Sequence, residues 1–184
     1  MAPALPLITV SGRYYRSMLA TRAGTVLDPP GPASAGRYHR PGEPALYITR
    51  DPDWATIAVG RYIAEDGLAR VIVPVDVSEA QLFGQRDAAA CALLGIDPDE
   101  SDCPWQPMLA VGKEPPSWIA SDRIRSIGAD GIVDRSRGIT DGWHVALFRW
   151  NVPGAPSVSV AGGSMPCDYA AARARWAAPK GGSS

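Results

Sequence analysis

Apolar and polar positions change rhythm several times along this chain. LITVSGRYYR, residues 7–16, mixes β-formers with polar residues and predicts an opening strand. Residues 28–44, DPPGPASAGRYHRPGEP, break every regular period, because prolines at 29, 30, 32, 41 and 44 admit no uninterrupted helix or strand. A loop this long inside a compact domain is more often a working part than filler. ALYIT (45–49) reads as a buried strand. DPDWATIAVGRYI (51–63) sets Trp54, Ile57, Ala58 and Tyr62 at helical spacing behind an Asp cap, which predicts a helix.

ARVIVPVDV (69–77) is the clearest strand, and SEAQ (78–81) has the Ser-x-x-Gln form of a capping box, predicting a short helix after it. Residues 95–116 are acidic and Pro-rich and predict mostly loop. SWIASDRIRSIG (117–128) brings Ala120, Ile124 and Ile127 to one helical face and stops at Gly128. GIV (131–133), HVALFRW (144–150) and SVSVA (157–161) are further strands. With no internal repeat and no regular βαβ alternation, the class is α+β. Its length predicts a single domain over residues 1–176 and a disordered tail over 177–184.

Composition narrows the function classes. The chain has 184 residues, 46% hydrophobic and 20% charged, with 19 glycines and 18 prolines, so a loop-rich globular fold is expected. A formal net charge of −1 lacks the electrostatic footprint of a nucleic-acid binder. No apolar run reaches the length of a membrane span, and the N-terminus lacks the order of a signal peptide, which together predict a soluble, cytoplasmic protein. Cys91, Cys103 and Cys167 share no CxxC spacing and read as packing or surface thiols. His39 and His144 are far apart without acidic or Cys neighbours at ligand spacing, so no metal site is expected. P-loop, GxGxxG and GxSxG motifs are absent, which leaves Ser136 in DRSRG without the signature of a hydrolase nucleophile.

The unusual feature is GRYHRPGEPALYIT (36–49), which gathers Arg37, Tyr38, His39, Arg40 and Tyr47 around one loop and one strand. YYR near the start, GRYHRPG followed by PALYIT, then SWIASDRIRSIGADGIVDRS and HVALFRWN, in that order, resemble the RES-domain family over roughly residues 10–160. That family supplies the toxin of Res–Xre toxin–antitoxin pairs. The resemblance implies a compact α+β fold with a mixed-sheet core similar to diphtheria-toxin-like ADP-ribosyltransferases. It also implies consumption of NAD⁺ by hydrolysis, phosphorolysis or transfer of ADP-ribose to a protein. A cognate Xre-like antitoxin in a hetero-oligomer is the implied partner, with a protein as possible second substrate.

Cleaving the nicotinamide–ribose bond develops positive charge on the sugar while diphosphate, ring and ribose are held still, work suited to cationic and aromatic side chains. By resemblance, Arg16 falls on the family's first functional arginine, where a guanidinium can pair with a phosphate, although RYYR also allows the register that puts Arg13 there. Arg37 and Tyr38 match the Gly-Arg-aromatic stretch, Tyr47 the strand tyrosine on the nicotinamide side, and Ser136 the family's serine. The catalytic candidates are thus Arg16, Tyr47 and Ser136, and the NAD-binding ones Arg37, Tyr38 and His39.

Two positions depart from the pattern. The family's glutamate, about eleven residues past the strand tyrosine, is replaced by Ala58, and His39 stands where Asn is usual. Glu65, seven residues beyond Ala58, would share a continuous helix face with it but about 10 Å along the axis. Glu43 in the loop is a second candidate, with a turn carboxylate as its simpler reading. Loss of the acid penalises simple hydrolysis more than transfer to a positioned protein nucleophile, so an ADP-ribosyltransferase toxin is expected first. A toxin that degrades NAD⁺ as glycohydrolase or phosphorylase, and a catalytically silent nucleotide- or partner-binding module, are the alternatives. An unrelated small-molecule hydrolase lacks a visible base.

Overall fold

A computed structural model describes residues 7–177. Its strands are β1 (Leu7–Leu19), β2 (Leu46–Thr49), β3 (Arg70–Gly84), β4 (Gly131–Arg135), β5 (Trp143–Leu147), β6 (Val158–Val160) and β7 (Met165–Pro166). The helices are α1 (Pro52–Ala58), α2 (Gly60–Asp66), α3 (Ala88–Leu93), α4 (Pro98–Ser101), α5 (Trp105–Ala110), α6 (Pro116–Ser126) and α7 (Tyr169–Ala177). A 3₁₀ turn at Ala20–Thr25 follows β1. The mixed α+β class is therefore observed.

The strands run in the order β1-β2-β5-β4-β3, and β3 pairs antiparallel with β1 from Leu7↔Phe83 to Leu19↔Arg70, so the sheet closes on itself. Strands β6 and β7 extend the other edge of β3. Alternation along the strands divides the apolar residues between the two surfaces of the closed sheet. Tyr14, Leu46, Ile48, Val75, Leu82, Val145 and Leu147 fill one cluster. Phe83, Ile132, Ala146 and Phe148 leave the opposite surface and pack with Ala90 of α3 and Ala120 and Ile124 of α6.

Several sequence expectations need correcting. SEAQ does not open a helix: β3 runs on through it, with Val10↔Ala80 and Thr9↔Gln81 paired. The register slips between Val10 and Gly12, so Ser78 and Glu79 lie opposite Ser11 alone. That bulge shifts the buried phase from Val75 and Val77 to Ala80 and Leu82, breaking the alternation that would have marked one long strand. The Ser78 hydroxyl accepts from the Ser157 amide and caps nothing.

The expected helix over 51–63 is two helices, parted at Val59. Gly60 meets the Tyr169 ring so closely that a Cβ there would lie 2.1 Å from it. Asp51 does cap α1, accepting from the Asp53 amide at 2.7 Å. Residues 95–116, expected to be mostly loop, carry the short helices α4 and α5 between loop segments, and α7 lies where no element was expected. Ala177 ends α7, and the rest of the expected tail lies outside the described residues. No described helix is long and apolar enough to cross a membrane.

Candidate active site

β1 and β2 share one residue pair, Tyr15↔Thr49, and part beyond it. Arg16 stands at the parting, two residues from buried Tyr14 and on the same face of β1. Its Nη1 donates to the Val26 carbonyl at 2.5 Å. Burial, reinforced by Arg22, pulls its guanidinium down to about 10, while Tyr47 and Asp28 oppose the shift. Arg13 leaves the other face and donates through Nε to Asp76, its directly opposite partner on β3, at 2.6 Å. Of the two arginines allowed by RYYR, Arg16 is the one within electrostatic reach of Tyr47.

The loop before β2 is knotted around the Tyr47 hydroxyl. The Tyr38 amide donates to it at 3.0 Å, and His39 Nδ1 lies 2.9 Å from it. Gly36 and His39 pair backbone to backbone, bringing Gly36 so close that a Cβ would lie 2.4 Å from His39 Cε1 and 2.7 Å from the Tyr47 oxygen. Only glycine fits there. Helix α6 holds this loop by consecutive carbonyls: Trp118 Nε1 donates to Gly36 O at 2.8 Å, Ser117 Oγ to Arg37 O at 2.6 Å, and Arg125 Nη2 to Tyr38 O at 3.3 Å.

The electrostatics are one-sided. Burial raises the Tyr47 hydroxyl far above its ordinary value, while the Tyr38 amide and the charges of Arg37, Arg125 and Arg16 pull the other way. His39 is 3% exposed, and burial, aided by Arg125 and Arg16, depresses it to about 4, so it is neutral near pH 7. Its Nε2 is enclosed without a hydrogen-bond partner. The Tyr47 oxygen thus has the Tyr38 amide as a donor and His39 Nδ1 as a second hydrogen-bond partner. Tyr47 therefore has its hydroxyl committed to the loop.

Arg37 makes its contacts through Nη1, to Cys103 O at 2.7 Å, Ser101 O at 3.4 Å and Asp102 at 3.8 Å. Tyr38 reaches the end of β4, where its hydroxyl donates to buried Asp134 at 2.5 Å. Ser136 lies just beyond, half-buried, its amide donating to Gly142 O at 2.8 Å. It makes no hydrogen bond to Arg16, Arg37, Tyr38, His39 or Tyr47.

None of the proposed acids stands free beside this group. Ala58 is exposed at the end of α1. Glu65 belongs to the separate helix α2 and pairs with Arg61 at 2.6 Å, so the shared helix face with Ala58 does not exist. Glu43 accepts from the Arg40 amide at 2.7 Å and lies 3.6 Å from the Arg40 guanidinium and 4.0 Å from that of Arg125. It is the turn carboxylate of the simpler reading.

Sequence reasoning passed over Arg125 and Asp134, and weighed His144 only as a metal ligand. His144 lies in register between Thr49 and Asp134, and burial with Arg137 and Arg37 depresses it to about 4. Only the DRS motif hinted at Asp134, and nothing local marks an arginine late in a helix as a neighbour of residues 38–44. Among the described residues no group of His, Cys, Asp or Glu could hold a metal ion.

The RES-domain family model matches residues 7–170. The chain belongs to the RES-domain family. No curated protein matches it in sequence. Its fold is similar to that of a chain in the crystal structure of the M. tuberculosis MbcT–MbcA toxin–antitoxin complex, with a TM-score of 0.62 over 94% of this chain and 92% of that one, at 16% identity.

Proposed function

We propose that this RES-domain chain is the NAD⁺-consuming toxin of a toxin–antitoxin pair, and that it transfers ADP-ribose to a protein. The observation that carries the reading is the Tyr47 hydroxyl tied to Tyr38 and His39 within the field of Arg16, Arg37 and Arg125. Clustered guanidinium groups suit a diphosphate, and an aromatic ring with its hydroxyl engaged suits a flat nicotinamide. Family membership and the likeness to a toxin–antitoxin chain support it, as does a closed sheet that parts at Arg16, which we read as an ADP-ribosyltransferase-like core.

In this reading Arg16 pairs with the diphosphate, while Arg37, Tyr38 and His39 form the wall that holds the dinucleotide. Tyr47 packs against nicotinamide, and Ser136 offers a hydroxyl to the substrate once it spans the distance from Tyr47. The nicotinamide–ribose bond breaks with its electron pair leaving on nicotinamide. A lone pair of the acceptor side chain then bonds to the ribose carbon, and the acceptor's proton passes to solvent. An Xre-like antitoxin with a C-terminal segment over the Arg37–Tyr47 wall, in a hetero-oligomer in the cytoplasm, completes the proposal.

The exposed alanine at 58, with Glu43 and Glu65 both ion-paired, favours a second reading: a silent module that binds NAD⁺ without cleaving it. Incubation with NAD⁺, with and without bacterial extract, separates the two by chromatography and mass spectrometry. Nicotinamide release with ADP-ribose on an extract protein is expected. Release with free ADP-ribose or ADP-ribose 1-phosphate points instead to hydrolysis or phosphorolysis, and binding without release to the silent module.

A further inference from the structure

Arg125 lies two turns beyond Ser117 and Trp118 on α6, and its contacts reach both ends of one turn. Nη2 donates to Tyr38 O at 3.3 Å and to Pro44 O at 3.2 Å, spanning the segment that carries His39 and leads into Tyr47. The guanidinium carbon sits 4.0 Å from the Phe148 ring centroid, and Glu43 lies 4.0 Å from Nη2. Nε is enclosed without a partner, so the group is fixed by packing and carbonyls rather than by a saturated ion pair. Beside it opens a cavity of about 210 Å³ lined by Arg125, Gly128, Ala129, Phe148 and Arg149.

We propose that Arg125 is a positioning residue of this site: by fastening residues 38–44 to α6 and Phe148 it holds His39 and the Tyr47 hydroxyl in place beneath the substrate. The catalytic part of this inference rests on the NAD⁺ reading above; the fastening does not. Ser117 and Trp118 already hold the carbonyls of Arg37 and Gly36, and half-exposed Asp122 pairs with the Arg40 guanidinium at 2.7 Å, so what Arg125 adds is the tie of α6 to the backbone of the stretch from Tyr38 to Pro44. Its positive charge also bears on His39 and Tyr47, a second role that a neutral side chain of similar length does not fill.

The test compares Arg125→Met, which keeps the stem over Phe148, with Arg125→Lys. In Arg125→Met the Tyr38 amide, protected by its bond to the Tyr47 hydroxyl, should exchange with deuterium about tenfold faster, while Val133 and Val145 in β4 and β5 keep their rates. The His39 ring should titrate higher than in the wild type, and Arg125→Lys should keep most of the depression. With NAD⁺, kcat in Arg125→Met should fall about tenfold with a smaller change in KM, and guanidinium ion, but not urea, should restore part of it. Unchanged Tyr38 exchange and His39 titration would overturn the proposal, as would equal acceleration across β4 and β5, which marks general destabilisation. If the wild type turns over no NAD⁺, the exchange and titration still decide the fastening role, and the failure belongs to the functional reading.

Discussion

The hydroxyl of Tyr38 donates to the carboxylate of Asp134 at 2.5 Å, tying the loop that carries the cationic wall to the end of β4. Both residues are buried, and the second Asp134 oxygen accepts from the Arg135 amide at 2.8 Å. Burial pushes the Asp134 carboxyl up, and the two hydrogen bonds with Arg137 only partly offset it. Tyr38→Phe should cost about 1.5 to 3 kcal/mol at neutral pH, since it strips one donor from a buried charge. The penalty should shrink on acidification as the carboxyl takes up its proton. Urea denaturation at pH 7 and pH 5 measures both, and an unchanged midpoint at pH 7 would show that the bond contributes nothing net.

Two histidines make stability pH-dependent in the opposite direction. His39 and His144 are both depressed from 6.5 to about 4, chiefly by burial, so the unfolded chain binds more protons than the folded one between those values. Their contribution is complete above pH 6.5 and is lost as pH falls towards 4, by a few kcal/mol between them. His39→Asn should flatten the fall of stability between pH 6.5 and 4, and an identical pH profile would contradict the neutral, enclosed imidazole.

Arg13 and Arg16 should separate in a growth assay. Arg13 is held by Asp76 on the outer face, about half of each side chain exposed, and such a pair contributes little to stability. If the chain is a toxin, Arg16→Ala should relieve growth arrest while remaining folded by circular dichroism, and Arg13→Ala should leave it intact. The reverse result would move the site to the other face of β1.

Ala58 offers the most direct test of the missing acid. It is exposed, so a longer side chain there meets no packing penalty. In an NAD⁺-cleaving chain, Ala58→Glu should raise nicotinamide release relative to protein modification. A charge contact made mainly in the transition state is commonly worth about 3 to 4 kcal/mol, a hundredfold or more in rate. Unchanged products and rate in the folded variant, together with loss of activity in Glu43→Gln or Glu65→Gln, would place the working carboxylate elsewhere.

The sequence by itself determined the elements whose signals are local. Proline spacing set the long loop, β-branched runs set β2, β4 and the first half of β3, and Gly128, with a φ of 77°, stopped α6 as its position implied. Motif order also named the family. What lay beyond it depended on contacts distant in sequence. The strand hidden in SEAQ exists because Ser11 faces two residues of β3, and the break at Val59 accompanies the packing of Tyr169 against Gly60. Closure of the sheet was likewise decided only when β1 found β3. The candidate site followed the same rule: local motifs nominated Arg16, Arg37, Tyr38, His39 and Tyr47, but Arg125 and Asp134 join them from 87 and 96 residues away. A hydrogen bond or a charge acts over ångströms of space, and no periodicity along the chain encodes which distant residue tertiary packing will bring within that range.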